Sequence, residues 1–164
     1  MVETKVDPKV VHATCVVERS FPYPPEVVFK ALSEPDKMRR WHTNDKTSDI
    51  EEFTAEFREG GWQRLRYKMK PGTPIPGMIL SNDGIYQEII PNERIVTAST
   101  MKLEGRRMSA SQVTMELIRT ATGTDLICTH QGAFFEGSDG PERREQGWIA
   151  MMNRLVEVVR EDNR

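Results

Sequence analysis

The chain has 164 residues, with 23 basic and 25 acidic side chains and a formal net charge of −2. That length suits one domain with a sizeable core, and the charge balance excludes a general field that would draw in nucleic acid or an anionic membrane. No apolar run approaches the roughly 20 residues that span a bilayer, and Met1 to Lys9 lack the apolar centre of a secretory signal, so no membrane span and a cytoplasmic protein are expected.

Residues 1–9 read as a flexible lead and residues 10–164 as a single domain. Val10 to Glu18 is rich in β-branched residues and predicts a first strand, with Val11, Ala13, Cys15 and Val17 on one face. The Phe21-Pro22-Tyr23-Pro24-Pro25 stretch turns the chain, and Pro25 can open a short helix carrying Val28, Phe29 and Leu32. Pro35 ends that helix and starts another over Asp36 to Trp41. From there to residue 131 the apolar period is close to two. Phe53, Ala55 and Phe57 alternate with charged residues, and Gly60-Gly61 makes a turn or bulge. Leu65, Tyr67 and Met69 then alternate with Arg64, Arg66 and Lys68.

A long loop is predicted over Pro71 to Asp83, with Met78, Ile79 and Leu80 making it a candidate cover over a binding site. Strands follow over Gly84 to Ile90, Arg94 to Lys102, Ser109 to Arg119 (Val113, Met115 and Leu117 on one face) and around Leu126, Cys128 and His130. They are joined by turns at Pro91-Asn92-Glu93, Glu104-Gly105-Arg106 and Thr122-Gly123. Short connections make antiparallel neighbours. Finally, Trp148, Met152, Leu155 and Val159, widened by Met151 and Val158, form the apolar stripe of a helix from Pro141 to Arg160, about 30 Å long. Such a helix needs a sheet to lie on.

Several of these stretches resemble one family. Phe21 to Leu32 with Glu34-Pro35 and Trp41, Gly60-Gly61, Gly84 with Pro91-Asn92-Glu93-Arg94, Gly123-Thr124-Asp125-Leu126 with Thr129-His130, and Gly147-Trp148 with Leu155 are similar, in order and spacing, to the activator-of-heat-shock-ATPase-like (AHSA1-like) family. The resemblance implies the α+β helix-grip fold of START (steroid-lipid-transfer) domains and the birch pollen allergen. In that fold a curved antiparallel sheet of about seven strands wraps a long C-terminal helix, two short helices follow strand 1, and a cavity lies between sheet and helix. The superfamily includes carriers, cyclases and partner-binding domains. The co-chaperones that gave the family its name carry a further N-terminal domain for which this chain has no room, so a chaperone partner is not expected.

The residues give little sign of dedicated chemistry. His12, His42 and His130 lie far apart in sequence, no nucleophile elbow, phosphate loop or dinucleotide fingerprint is present, and neither a metal nor a cofactor is expected. Cys15 and Cys128 read as reduced, strand-borne thiols. His130 shares parity with Leu126 and Cys128, so an inward-facing set would carry its imidazole into the cavity. Tyr86 and Glu88 share the parity of Gly84, while Ile85 and Ile89 take the other; parity alone leaves both orientations open, and the resemblance favours the polar side inward.

The reading that results is non-enzymatic binding of a small hydrophobic ligand between helix and sheet. Trp41, Phe57, Tyr67, Tyr86, Glu88, Met115, His130, Trp148, Met151 and Met152 are the candidate ligand contacts. The alternatives are a cyclase- or dehydratase-like enzyme using Glu88, His130 or Tyr86 for proton transfer, and a co-chaperone-type interaction module. A homodimer stays open.

Overall fold

The computed structural model describes residues 8–164, so most of the expected lead lies outside the described residues. In chain order the elements are β1 (Val11–Phe21), α1 (Pro25–Ser33), α2 (Pro35–His42), β2 (Ser48–Ala55), β3 (Trp62–Met69), β4 (Ile79–Ile90), β5 (Arg94–Leu103), β6 (Arg106–Arg119), β7 (Thr124–Phe134) and α3 (Pro141–Asp162). Each helix begins at a proline, which sets φ for the first turn and has no N–H to leave unbonded.

All seven strands form one antiparallel sheet in the order β1-β7-β6-β5-β4-β3-β2. From β2 to β7 every strand pairs with its successor. The first strand closes the other side by pairing with the last, Val11 opposite Phe134 through Phe21 opposite Thr124. The α1–α2 pair is the crossover that carries the chain from one edge to the other. Between β5 and β6, Glu104 and Gly105 have φ of 50° and 77°, the two-residue turn whose twist matches flanking strands and which glycine makes cheap. The whole constitutes the expected helix-grip α+β fold.

The helix α3 lies across the inner face. Met152 and Leu155 are fully buried, and Trp148, Val158 and Val159 nearly so, which is the predicted stripe. Its second half packs with Val28, Ala31 and Leu32 of α1 and with Val17, Leu126 and Cys128 of the sheet. The α2 helix is tied to α3 by Arg40, whose guanidinium bonds Asp162 at 2.7 Å and Glu161 at 2.8 Å. Cys15 and Cys128 are free thiols. Cys128 stands opposite Val17 and Cys15 opposite His130, so the two are diagonal neighbours, beyond the Cα separations that disulfides take.

One predicted boundary is corrected. Ile79 to Asp83 are not loop: Lys68 pairs with Ile79 and Gln63 with Gly84, so β4 runs the full length of β3. The loop shrinks to residues 70–78, pinned by bonds between Met69 and Met78 (2.9 Å) and from the Gly77 N–H to the Met69 carbonyl (2.8 Å). The prolines place its start correctly and its end too late; the apolar Ile79 and Leu80 are strand residues.

Candidate functional site: a polar-lined cavity under the helix

Side-chain alternation along β3 to β6 decides what faces α3. The inward positions are Gln63, Leu65 and Tyr67 on β3, Asn82, Gly84 and Tyr86 on β4, Ile95, Thr97 and Ser99 on β5, and Ser111, Val113 and Met115 on β6. Five of these twelve, Gln63, Asn82, Thr97, Ser99 and Ser111, are polar, and several are small. A bulky apolar helix face cannot mesh with such a surface to full density, and room is left.

Two adjoining chambers result, both walled by His42, Asn82, Ser99, Val113 and Trp148. The first, about 50 Å³, lies toward Trp41, Tyr86 and Met115. The second, about 100 Å³, lies toward Tyr67, His130, Arg144 and Met151. His42 and Tyr67 also line an outer mouth of about 320 Å³, bounded by the 43–48 connection, Met69, Ile75, Leu80 and the Gly147, Ala150 and Arg154 face of α3. An added Cβ on Gly147 would meet nothing within 4 Å. The helix surface is simply low at that point.

Polar groups around the chambers are fixed by packing. Trp41 is 2 % exposed and donates its indole N–H to the Ala31 carbonyl at 2.8 Å, and its ring stacks on His42 at 3.8 Å between centroids. The Tyr86 hydroxyl donates to Gln63 Oε1 at 2.6 Å, and the amide nitrogen of Gln63 lies 3.2 Å from His42 Nε2. Arg144 grips Asp139 with two bonds (2.8 and 2.9 Å), donates to Ser109 Oγ at 2.9 Å, and lies over the Phe134 ring. A side chain at Gly132 would come within 3 Å of both His130 and Phe134, so glycine there lets the two rings lean together. Ser111 Oγ is the one buried side-chain polar atom with no hydrogen-bond partner among the described residues.

Electrostatics follow from this enclosure. Burial, helped by the Arg144 charge, pushes the His130 imidazole down to about 4. Burial and then the Arg154 charge push His42 down to about 3. Burial raises Tyr67 above its ordinary range although Arg144 and Arg154 both pull it down, and burial raises Tyr86. Against the cost of its own burial, Arg144 holds the Asp139 carboxyl below the usual carboxylate range. The imidazoles and phenols facing the cavity are therefore neutral at neutral pH, offering hydrogen bonds rather than charge.

Of the residues expected from the sequence, Trp41, Tyr86, Met115 and Trp148 line the first chamber, and Tyr67, His130, Trp148 and Met151 the second. Three do not join them. Met152 is fully buried in the packed core, and Phe57 packs on Phe29 and Tyr86 (ring centroids 5.8 and 5.1 Å). Glu88 points outward and forms an ion pair with Arg94 at 2.8 Å. The reason is a β-bulge: Tyr86 faces Thr97, but Glu88 faces Val96 and Ile89 faces Ile95. The extra residue reverses the alternation, so Tyr86 and Ile89 both turn inward and Glu88 does not. Sequence reasoning missed His42, Gln63, Asn82, Ser99, Ser111, Arg144 and Arg154. The available signal was small polar residues at inward parity in mid-strand, where a closed core would carry aliphatics. Among the described residues no group of His, Cys, Asp and Glu could hold a metal, and no helix is long and apolar enough to cross a membrane.

Comparison with known proteins fits this architecture. Residues 22–160 match the family described as Activator of Hsp90 ATPase homolog 1-like protein. An uncharacterized protein from Rhizobium leguminosarum is similar at 31 % identity and a TM-score of 0.83, over 93 % of this chain and 97 % of that one. The Mll3558 protein from Rhizobium loti is 35 % identical with a TM-score of 0.81, over 91 % and 98 %. An AHSA1-like protein from Aeromonas hydrophila, at 17 % identity and a TM-score of 0.66 over 92 % and 94 %, shares the fold. No curated protein matches the chain.

Proposed function

The chain belongs to the Activator of Hsp90 ATPase homolog 1-like family, and from that premise we propose that it binds a small molecule that enters between α3 and the 43–48 connection. The observation that carries the reading is that the outer mouth, about 320 Å³, adjoins the second chamber, with His42 and Tyr67 lining both. The inner chambers are too small for a sterol or a long acyl chain, which need a cavity at or above the low end of the usual range of about 300–1,000 Å³. The ligand is therefore compact: a ring or short chain with its body in the mouth and one end directed at Ser111, Ser99 and Asn82. The unpartnered Ser111 hydroxyl supports this direction, because a buried hydroxyl without a bond is costly and a ligand polar atom would satisfy it.

A proton-transfer enzyme has less support. Glu88 lies outside the cavity, the Tyr86 hydroxyl is committed to Gln63, and His130 is held near 4, below the range where a general base works best at neutral pH.

Naphthalene-2-methanol, a neutral fluorescent probe of suitable size, should bind with a dissociation constant on the order of 0.1–1 mM, as its atom count allows. Gly147→Phe, whose Cβ would meet nothing within 4 Å and whose ring would occupy the mouth, should abolish that binding and leave the circular dichroism spectrum unchanged. Undiminished binding by the folded Gly147→Phe variant would overturn the reading.

A further inference from the structure

The two arginines on the cavity side of α3 differ in one respect that bears on the ligand. Arg144 is neutralised by Asp139 in a bidentate pair. Arg154 is also partly buried, yet it makes no ion pair among the described residues. Its Nε donates to the Trp41 carbonyl at 3.0 Å, an otherwise orphaned acceptor at the end of α2. That bond uses one of five guanidinium N–H groups and fixes the plane of the fork. The four N–H groups on the two terminal nitrogens have no partner among the described residues. The acidic residues nearby are otherwise engaged: Glu157 pairs with Arg160, and Glu161 and Asp162 with Arg40. Arg154 also lines a separate outer groove with Asp45, which makes no ion pair with it.

The positive charge is felt on the mouth side. Burial and then the Arg154 charge depress His42, and against the burial that raises Tyr67 the Arg154 charge pulls it down. Both are mouth walls. A desolvated guanidinium without a counter-ion is expensive, and an oriented fork is the geometry that a carboxylate meets with two parallel hydrogen bonds. With Arg144 already compensated, the site carries one uncompensated positive charge, which suits a monoanion rather than a phosphate ester.

We propose that Arg154 is the anchor for a carboxylate: the ligand is a compact monocarboxylic acid whose carboxylate sits on the Arg154 fork, with its body in the mouth against Tyr67 and its far end directed at Ser111, Ser99 and Asn82. This rests on the mouth being the binding site, as proposed above, and adds the chemical class of ligand.

The matched pair naphthalene-2-carboxylate and naphthalene-2-methanol separates the two claims. At pH 7.5 and low salt, titration by fluorescence should show the carboxylate binding about tenfold more tightly than the alcohol, the difference expected of a charge-assisted bidentate contact. Arg154→Gln, which keeps a donor for the Trp41 carbonyl, should bring the affinities for the two probes together and erase that preference. Arg154→Lys, retaining charge without the fork, should keep only part of it. Equal affinity of the native protein for both probes overturns the anchor and leaves the mouth reading standing, a result that needs no variant to fold. A carboxylate preference that survives in folded Arg154→Gln also overturns it. Binding of neither probe removes both claims together.

Discussion

Where β1 and β7 meet α1 and the second half of α3, the inner face is dry: Val28, Leu126, Cys128, Met152 and Leu155 are all 0–1 % exposed. Across β3 to β6 the same face, built by the same alternation, carries Gln63, Asn82, Thr97, Ser99 and Ser111, and the helix leaves chambers above it. One helix spans both regions, with Leu155 and Val159 over the first and Trp148 and Met151 over the second. The difference teaches that periodicity chooses which side chains turn inward, while their size and polarity decide whether the helix can close on them. Burying an amide or hydroxyl without a partner costs more than leaving space for water or ligand.

The sharpest break in that comparison is expected at the dry end. Leu155→Ala removes a fully buried side chain from a filled core and should cost about 2 to 5 kcal/mol in urea unfolding. A loss near zero would mean the dry region is not packed as described.

Next comes acid. His130 and His42 bind protons in the unfolded chain near 6.5 but in the fold only near 4 and 3. The unfolded state therefore holds more protons between these values, and stability rises with pH. The contribution is complete above about pH 6.5 and is lost as pH falls through the window toward 4 and then 3. For His130, 3 % exposed, the loss is about 3 kcal/mol, since each tenfold weakening of proton binding corresponds to about 1.4 kcal/mol. Asp139 adds a fall in the same direction at lower pH. Chemical denaturation of the native protein and of His130→Gln, at pH 7 and pH 4.5, isolates the histidine: the variant should show a markedly flatter dependence.

Smaller effects sharpen the polar end. Gly147 sits within α3 over open space, where a glycine costs roughly 0.8–1 kcal/mol relative to alanine. Gly147→Ala should raise stability by up to about that amount, in contrast with Leu155→Ala one helix region further on. Ser99→Ala, beside a chamber rather than in packed core, should change stability by under about 1 kcal/mol. A change as large as that of Leu155→Ala would abolish the distinction between the two regions.

The elements of the fold were legible in the chain because their signals are local. Alternation over β3, β6 and β7, prolines opening all three helices, the Glu104-Gly105 turn and the stripe from Trp148 to Val159 each act over a few residues and need no partner to be read. The shared faces of His130 with Leu126 and Cys128, and of Met115 with Val113 and Leu117, were legible for the same reason. What tertiary structure alone decided involves two elements at once. The bulge in β4, set by pairing with β5, turns Glu88 outward while Ile89 joins the core, a reversal no count along β4 could reveal. The extension of β4 to Ile79 depends on β3 lying opposite it. Arg154 reads along the chain as one more helical arginine; only the carbonyl at the end of α2 fixes its fork, and only the low surface at Gly147 and Ala150 places that fork at a mouth. Local free energies select turns and faces, whereas a site is made of distances between residues far apart in sequence, and these exist only once the chain has closed.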